Sequence, residues 1–204
     1  MDDADIKDPL KSRSGAMIAA ADRKAAGDAE AFDQPVIEAD GMVLRPLTYA
    51  DAGMIEFYAS DARVAEMTTS VPHPLPPGTT DSFVARALKP SPREVIWAMD
   101  ASAEGGADFK GVISLKRMDG GQSEIGYWVA PSWWNGNAAS AAVEALVAAN
   151  PLGDRTYFAT VFQDNPGAAR VLTKTGFEYV GDAEAFSVAR GAKVATWTYI
   201  RKLD

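Results

Sequence analysis

The chain of 204 residues contains no cysteine. Disulfides, thiolate metal sites and a cysteine nucleophile are therefore excluded, and the composition fits a cytoplasmic protein. Histidine is almost as scarce. His73 is the only one, which excludes a histidine-rich metal site. No tight carboxylate cluster stands in the sequence, so no metal is expected. A Gly-x-Ser-x-Gly elbow is also missing, and with it the usual setting of a serine hydrolase. No run approaches the roughly 20 apolar residues that span a bilayer. The opening residues MDDADIKD are acidic with no apolar segment after them, so no secretory signal is expected. Basic charge is in the minority, with 20 Lys and Arg against 28 Asp and Glu, a net of −8. Residues 1–40 hold ten of the acids and five of the bases. The rest is nearly balanced and has no basic block, so neither nucleic acid nor a membrane is an expected partner.

Apolar residues make up 47% of the chain, enough for one domain with a substantial core. Residues 1–40 read as an acidic, Ala-rich extension, either weakly ordered or helical. The folded domain is expected over residues 41–204. Its first strand is Met42–Leu47, followed by a helix over Tyr49–Ser60 with Thr48 as N-cap. Val71–Gly78 carries four prolines in eight residues and must be a loop. A second helix is expected at Thr80–Leu88. Strands follow at Glu94–Asp100, Phe109–Arg117 and Ser123–Val129. Asn137–Ala149 reads as a helix with Val143, Leu146 and Val147 on one face, stopped by Asn150-Pro151. Tyr157–Phe162 is a strand and Pro166–Lys174 a helix with proline in its first turn. Strands at Phe177–Gly181 and Lys193–Lys202 close a mixed α/β chain.

One stretch stands out, Glu124–Ser140 (EIGYWVAPSWWNGNAAS). It reads as strand, turn and a helix start among small residues. A helix start has unpaired N–H groups and partial positive charge, so it suits an anion. Asn165–Phe177 (NPGAARVLTKTGF) follows as a short helix ending at Gly176. In this order, with Leu44-Arg45-Pro46-Leu47, Asp51 and Pro72-His73-Pro74-Leu75, these segments resemble the GNAT N-acetyltransferases. The RimJ/RimL-like branch, which acetylates protein N-termini and small amines, is the more similar. The resemblance covers about residues 41–204.

That resemblance implies a sheet of about seven strands, mostly antiparallel, with a central parallel pair, the fourth and fifth strands, splayed apart and helices flanking. Acetyl-CoA would lie in the gap as co-substrate. The backbone of Trp128 and Val129 would pair with its pantetheine arm. The turn and helix start, Asn135, Gly136, Asn137, Ala138, Ala139 and Ser140, would hold the pyrophosphate. The Asn165 side chain would bond the arm, or simply cap its own helix. The partner would be a small-molecule amine or a peptide N-terminus. Copies of this family also pair through edge strands and exposed aromatics, so a homodimer is open. Two departures stand out. The family turn is Gln/Arg-x-x-Gly-x-Gly/Ala, whereas this chain has Trp134-Asn135-Gly136-Asn137-Ala138-Ala139. Asn137 would either supply a positive φ, obstruct the phosphate, or mark a shifted register using Gly136. Leu172 stands where many members place a tyrosine that protonates the leaving thiolate.

An α-amine, with pKa about 7.7–8.0, is partly neutral at pH 7, whereas deprotonating a lysine there costs about 4–5 kcal/mol. A chain with no obvious strong base therefore suits α-amines and other amines of low pKa. Glu124 is the candidate base, acting directly or through water, or else an ion-pair partner at a strand end. His73 is the candidate acceptor-site residue, or an exposed loop histidine fixed by prolines. Trp133 and Trp134 either wall the cofactor or pack as core. A non-catalytic acyl-CoA-binding module of the same fold is the alternative, and transfer of a longer acyl group is a third reading.

Overall fold

Met42 and Leu44 are buried while Val43 and Arg45 are less so, the period of two that a half-covered strand requires. This strand, β2 (Met42–Pro46), pairs with β1 (Ile37–Ala39) around a turn at Asp40-Gly41. Gly41 has φ 67°, a conformation glycine adopts without steric penalty. The computed structural model describes residues 32–89, 93–107 and 109–203. A 3-10 turn at Tyr49–Asp51 leads into α1 (Ala52–Ala59), then α2 (Ala62–Ala65) and α3 (Thr79–Ala87). Strands β3 (Glu94–Asp100), β4 (Gly111–Met118) and β5 (Gln122–Val129) form a meander. Then come α4 (Ala138–Ala149), β6 (Thr156–Phe162), α5 (Pro166–Lys174), β7 (Glu178–Ser187) and β8 (Ala192–Lys202).

The eight strands form one sheet in the order β1-β2-β3-β4-β5-β6-β8-β7. Every neighbouring pair is antiparallel except β5 and β6. The expected mixed sheet is thus present, with eight strands among the described residues instead of seven. The added one is β1, three residues inside the tract read as an extension. Residues 1–31, most of that extension, lie outside the described residues. β7 also runs six residues beyond Gly181, pairing with β8 as far as Ser187↔Ala192. Tyr179, Val180 and Phe186 on it are exposed, so no buried face marks it as a strand.

β3 is buried on both faces, which its near-continuous apolar run foretells. Ile96 and Ala98 meet Ile55, Val84 and Ala87 from α1 and α3, with Val112 and Phe109 beside them. Val95, Trp97 and Met99 point the other way and are fully buried, and the Trp97 indole donates to the Pro35 carbonyl at 2.8 Å. The Val143–Leu146–Val147 stripe of α4 is buried as its spacing predicts.

Arg45, at the end of β2, joins two elements. It pairs with Asp51 at 2.8 Å and with Asp100 at 2.6 Å. Asp51 also accepts from the Thr48 N–H at 2.7 Å, starting the 3-10 turn. The Leu44–Leu47 segment and Asp51 are therefore tied together by structure.

The hairpin between β7 and β8 reaches back over the chain. Arg190 donates to the Glu66 carbonyl at 2.8 Å and pairs with Asp164 at 2.6 Å, while the Val188 N–H bonds the Thr69 carbonyl at 3.1 Å. This fixes the loop after α2 beside the loop before α5.

Candidate active site

β5 and β6 share only three parallel pairs, Gln122↔Thr156, Ser123↔Tyr157 and Glu124↔Phe158. Beyond Glu124, β5 stays on β4 as far as Val129, while β6 stays on β8 as far as Phe162. A gap therefore opens within the sheet at Glu124. Antiparallel ladders alternate which residues turn their peptide groups to a given neighbour. The Ala130 N–H bonds the Lys110 carbonyl of the β4 side at 2.8 Å. By alternation Trp128 also faces β4, and Tyr127 and Val129 turn their peptide groups to the gap. This corrects the expected pairing through Trp128, whose backbone is committed to Val112. Its side chain still lines the gap. The Val129 carbonyl accepts from the Trp134 indole at 2.7 Å, which leaves its N–H facing the opening.

A cleft of about 740 Å³ lies against α4 and α5. It is lined by Trp128, Val129, Asn135, Asn137, Ala138, Ala139, Ser140 and Asn165, all expected there from sequence. Gly136 is not among its lining residues, and its N–H is turned to the Trp133 carbonyl at 3.3 Å. The positive φ of the turn falls instead on Asn135 and Asn137, at 61° and 65°. Asparagine tolerates this conformation better than other residues with a side chain. The Asn137 side chain accepts from Lys174 Nζ at 2.7 Å. No side chain caps α4, and its first intrahelical bond runs from the Ala141 N–H to Asn137. The N–H groups of Ala138, Ala139 and Ser140 precede that bond and give the end its partial positive charge.

α5 is different, because Asn165 caps it by accepting from the Ala168 N–H at 3.1 Å. That bond occupies the side-chain oxygen and leaves the amide NH₂ as a donor at the cleft. Tyr127 spans the gap to the same turn, its hydroxyl donating to the Ala168 carbonyl at 3.1 Å. Burial pushes the Tyr127 phenol well above its ordinary range, with a further rise from Tyr199, so it remains a neutral donor. Leu172 is fully buried, supplies no polar atom and does not line the cleft.

Sequence reasoning missed the cations of this cleft. Arg63, Arg170 and Lys174 all line it. Lys174 sits inside the quoted RVLTK run but carried no assigned role. Arg63 pairs with Asp61 at 2.6 Å and lies over the Trp134 ring at 5.6 Å. Trp133 packs under Lys110, with Nζ 4.9 Å from the ring centre. Both tryptophans line the cleft, so the walling role and the packing role coincide.

A second cleft, of about 280 Å³, opens on the side of α3. Met67, Thr68, Tyr127 and Trp128 line both, so the two meet at the gap. Glu124 lines the smaller one and is 3.7 Å from Lys116 Nζ. Its side chain is 37% exposed, which leaves the carboxylate open to a ligand. His73 is exposed and lines neither cleft. Arg63 holds the Asp61 carboxyl below the usual range. Among the described residues no group of three His, Asp or Glu side chains is arranged to hold a metal. Nor is any described helix long and apolar enough to cross a membrane.

Residues 42–178 match the family model of the acetyltransferase (GNAT) domain. An uncharacterized N-acetyltransferase of Bacillus subtilis (strain 168), YoaA, is 26% identical over 176 residues, covering 81% of this chain and 95% of the relative. Among solved structures, Mycobacterium smegmatis RimJ in complex with CoA-disulfide superposes with a TM-score of 0.67 at 18% identity, over 82% of this chain and 86% of that one. Spermidine N-acetyltransferase of Vibrio cholerae, in complex with CoA and spermine, gives 0.64 at 14% identity, over 78% and 95%. A parted parallel pair of strands, a helix start open to an anion and a family match over two thirds of the sequence agree. The chain belongs to the GNAT acetyltransferase family and is an acetyl-CoA-dependent acyltransferase with the fold of RimJ.

Proposed function

We propose that the protein transfers an acetyl group from acetyl-CoA to a primary amine, directly, with both substrates bound at once. The observation that carries this reading is the parting of β5 from β6 at Glu124, which joins a cleft on each side of the sheet. Acetyl-CoA supplies an activated acyl thioester. The larger cleft has the donors such a molecule needs. These are the gap-facing N–H groups of Tyr127 and Val129, the Asn165 amide, and the open start of α4 with Lys174 and Arg170 nearby. Asn137 serves this turn as the residue that accepts positive φ and steadies Lys174. The Val129 N–H is the donor for the thioester carbonyl.

The acceptor enters from the smaller cleft, a small-molecule amine or a peptide N-terminus. Spermidine, in the name of the Vibrio cholerae relative, is an amine of the first kind. Glu124 takes the proton from the ammonium form, leaving a lone pair on nitrogen. The C–N bond then forms, the C–S bond breaks, and the proton shed by nitrogen ends on sulfur. Tyr127 spends its one hydroxyl proton on the Ala168 carbonyl, tying β5 to the start of α5, so the leaving sulfur takes its proton from the amine nitrogen.

Asn165→Ala should weaken acetyl-CoA binding by roughly 1–3 kcal/mol, the loss expected when a buried hydrogen bond is removed. Titration calorimetry reads this directly, and unchanged affinity would remove Asn165 from the site. The same variant should lose about 1 kcal/mol of stability through its cap, whether or not the ligand role holds. The transferase reading itself is tested by thiol release from acetyl-CoA against a panel of amines. Binding without turnover on any amine would favour the binding-module alternative. Comparison with longer thioesters fixes which acyl group is carried.

A further inference from the structure

The smaller cleft has a hollow whose position follows from one residue. Along β5, Glu124, Gly126 and Trp128 share a face, because side chains alternate along a strand. Glu124 and Trp128 rise on either side of Gly126, which has no side chain and is exposed. Ser114 on β4 is directly opposite it in the ladder. A Cβ built on Gly126 would come within 3.3 Å of Ser114 Oγ, so even an alanine would crowd the floor of the hollow. Ser114 is 7% exposed and donates to Glu94 Oε1 at 2.8 Å, which holds that carboxylate at the same floor. The cleft therefore presents two carboxylates, Glu94 and Glu124, against the single ammonium of Lys116.

An independent observation points to a ligand. Thr196 lines the same cleft, is fully buried, and its hydroxyl has no hydrogen-bond partner among the described residues. Leaving a buried hydroxyl unpaired costs about 1–3 kcal/mol, so such groups are usually satisfied by a ligand or by water. The cleft, of about 280 Å³, is smaller than the roughly 300–1,000 Å³ of drug-sized ligand sites.

We propose that the Gly126 hollow, with Glu94 fixed at its floor by Ser114, sets acceptor specificity for compact, singly charged primary amines carrying one further polar group. Glu94, positioned by Ser114, adds the negative charge that draws the ammonium into the hollow, where Glu124 takes its proton, and Thr196 bonds the second polar group. The Gly126 gap limits the size of what stands next to nitrogen. This rests on the transferase reading above and adds no chemical step to it.

The test is steady-state kinetics of the full chain with saturating acetyl-CoA and three probes: alaninamide, ethanolamine and spermidine. The compact monoamines should give a kcat/KM at least tenfold above that of spermidine. Glu94→Gln and Gly126→Ala should each raise the KM for alaninamide tenfold or more, with the KM for acetyl-CoA within twofold of the parent. Ser114→Ala should raise it less, with kcat unchanged, as befits a positioning residue. Thermal melts on each variant separate these effects from misfolding, and Glu94→Gln leaves the number of heavy atoms in the cleft unchanged. Turnover with an unmoved acceptor KM in Glu94→Gln, or a preference for spermidine, would overturn the specificity proposal and leave the transferase reading standing. Acetyl-CoA binding with no turnover on any amine would overturn both.

Discussion

Glu124→Gln is expected to lower kcat about 100-fold or more while leaving acetyl-CoA affinity within twofold. Positioned general bases contribute roughly 10²–10⁴-fold, and glutamine keeps the shape of the side chain while removing its basicity. The geometry favours a large effect. Glu124 is the last residue of β5 paired to β6, and it lines the smaller cleft at the level where the two strands begin to part. Its ion pair with Lys116 is long, at 3.7 Å, between side chains 50% and 37% exposed, and exposed pairs contribute only about 0–1 kcal/mol. If that pair were its whole purpose, the variant would be slightly less stable and fully active. Rate against pH separates the two cases. The rate–pH curves of parent and variant should differ, the variant retaining only the limb that belongs to the acceptor amine. An unaltered pH–rate curve would end the candidacy of Glu124 as base.

The second large effect concerns stability. Arg45→Ala should destabilise the fold by about 3 kcal/mol, the low end of the range for breaking a buried ion pair. The low end applies because the Arg45 side chain is 23% exposed, whereas Asp51 and Asp100 are buried. For a domain of this size that is roughly a 6–12 °C fall in Tm. The pH dependence follows from the carboxylates. Burial pushes Asp51 up, but the Arg45 guanidinium and the Thr48 N–H outweigh it, and the carboxyl ends below its usual range. Asp100 likewise ends low, burial being outweighed by Ser102 and Arg45. A carboxyl whose folded pKa is depressed stabilises the fold above its unfolded value, near 3.9, and that contribution fades as pH falls through the lower folded value. In Arg45→Ala, burial is left with less to oppose it. The difference between parent and variant should therefore be full at pH 7 and narrow below about pH 4. Urea unfolding at pH 7 and pH 3 measures it, and a difference that is constant with pH would show that the deficit comes from lost packing instead.

Much of this architecture is legible in the sequence because its strands and helices carry clear periods. The run Glu94–Asp100 and the helix Pro166–Lys174 have the bounds that their patterns suggest. β1 is too short to show a period, and β7 has an exposed outer course with no buried face to mark it. The helix start at Ala138–Ser140 is visible because small residues follow a strand and a turn. Which backbone amides face the gap is not visible, since it depends on the phase of the ladder with β4, and so Trp128 and Tyr127 exchange parts. Glu94, Ser114 and Thr196 lie on strands that meet only when the sheet is assembled. His73 lies in a proline-dense loop that suggests a site, yet the side chain is exposed and outside both clefts.

Sheets expose unsatisfied ladders at their margins and manage them there with twists, charges or covering loops. This one carries such a margin in its interior, because two neighbours separate while each stays tied to its other flank. A thioester laid along it would act as a missing rung, closing the ladder as well as reacting. Filling the seam should consequently stiffen the whole sheet. At a hundredfold excess over Kd, linkage adds about 2.7 kcal/mol of stability, a rise in melting temperature that scanning calorimetry would register.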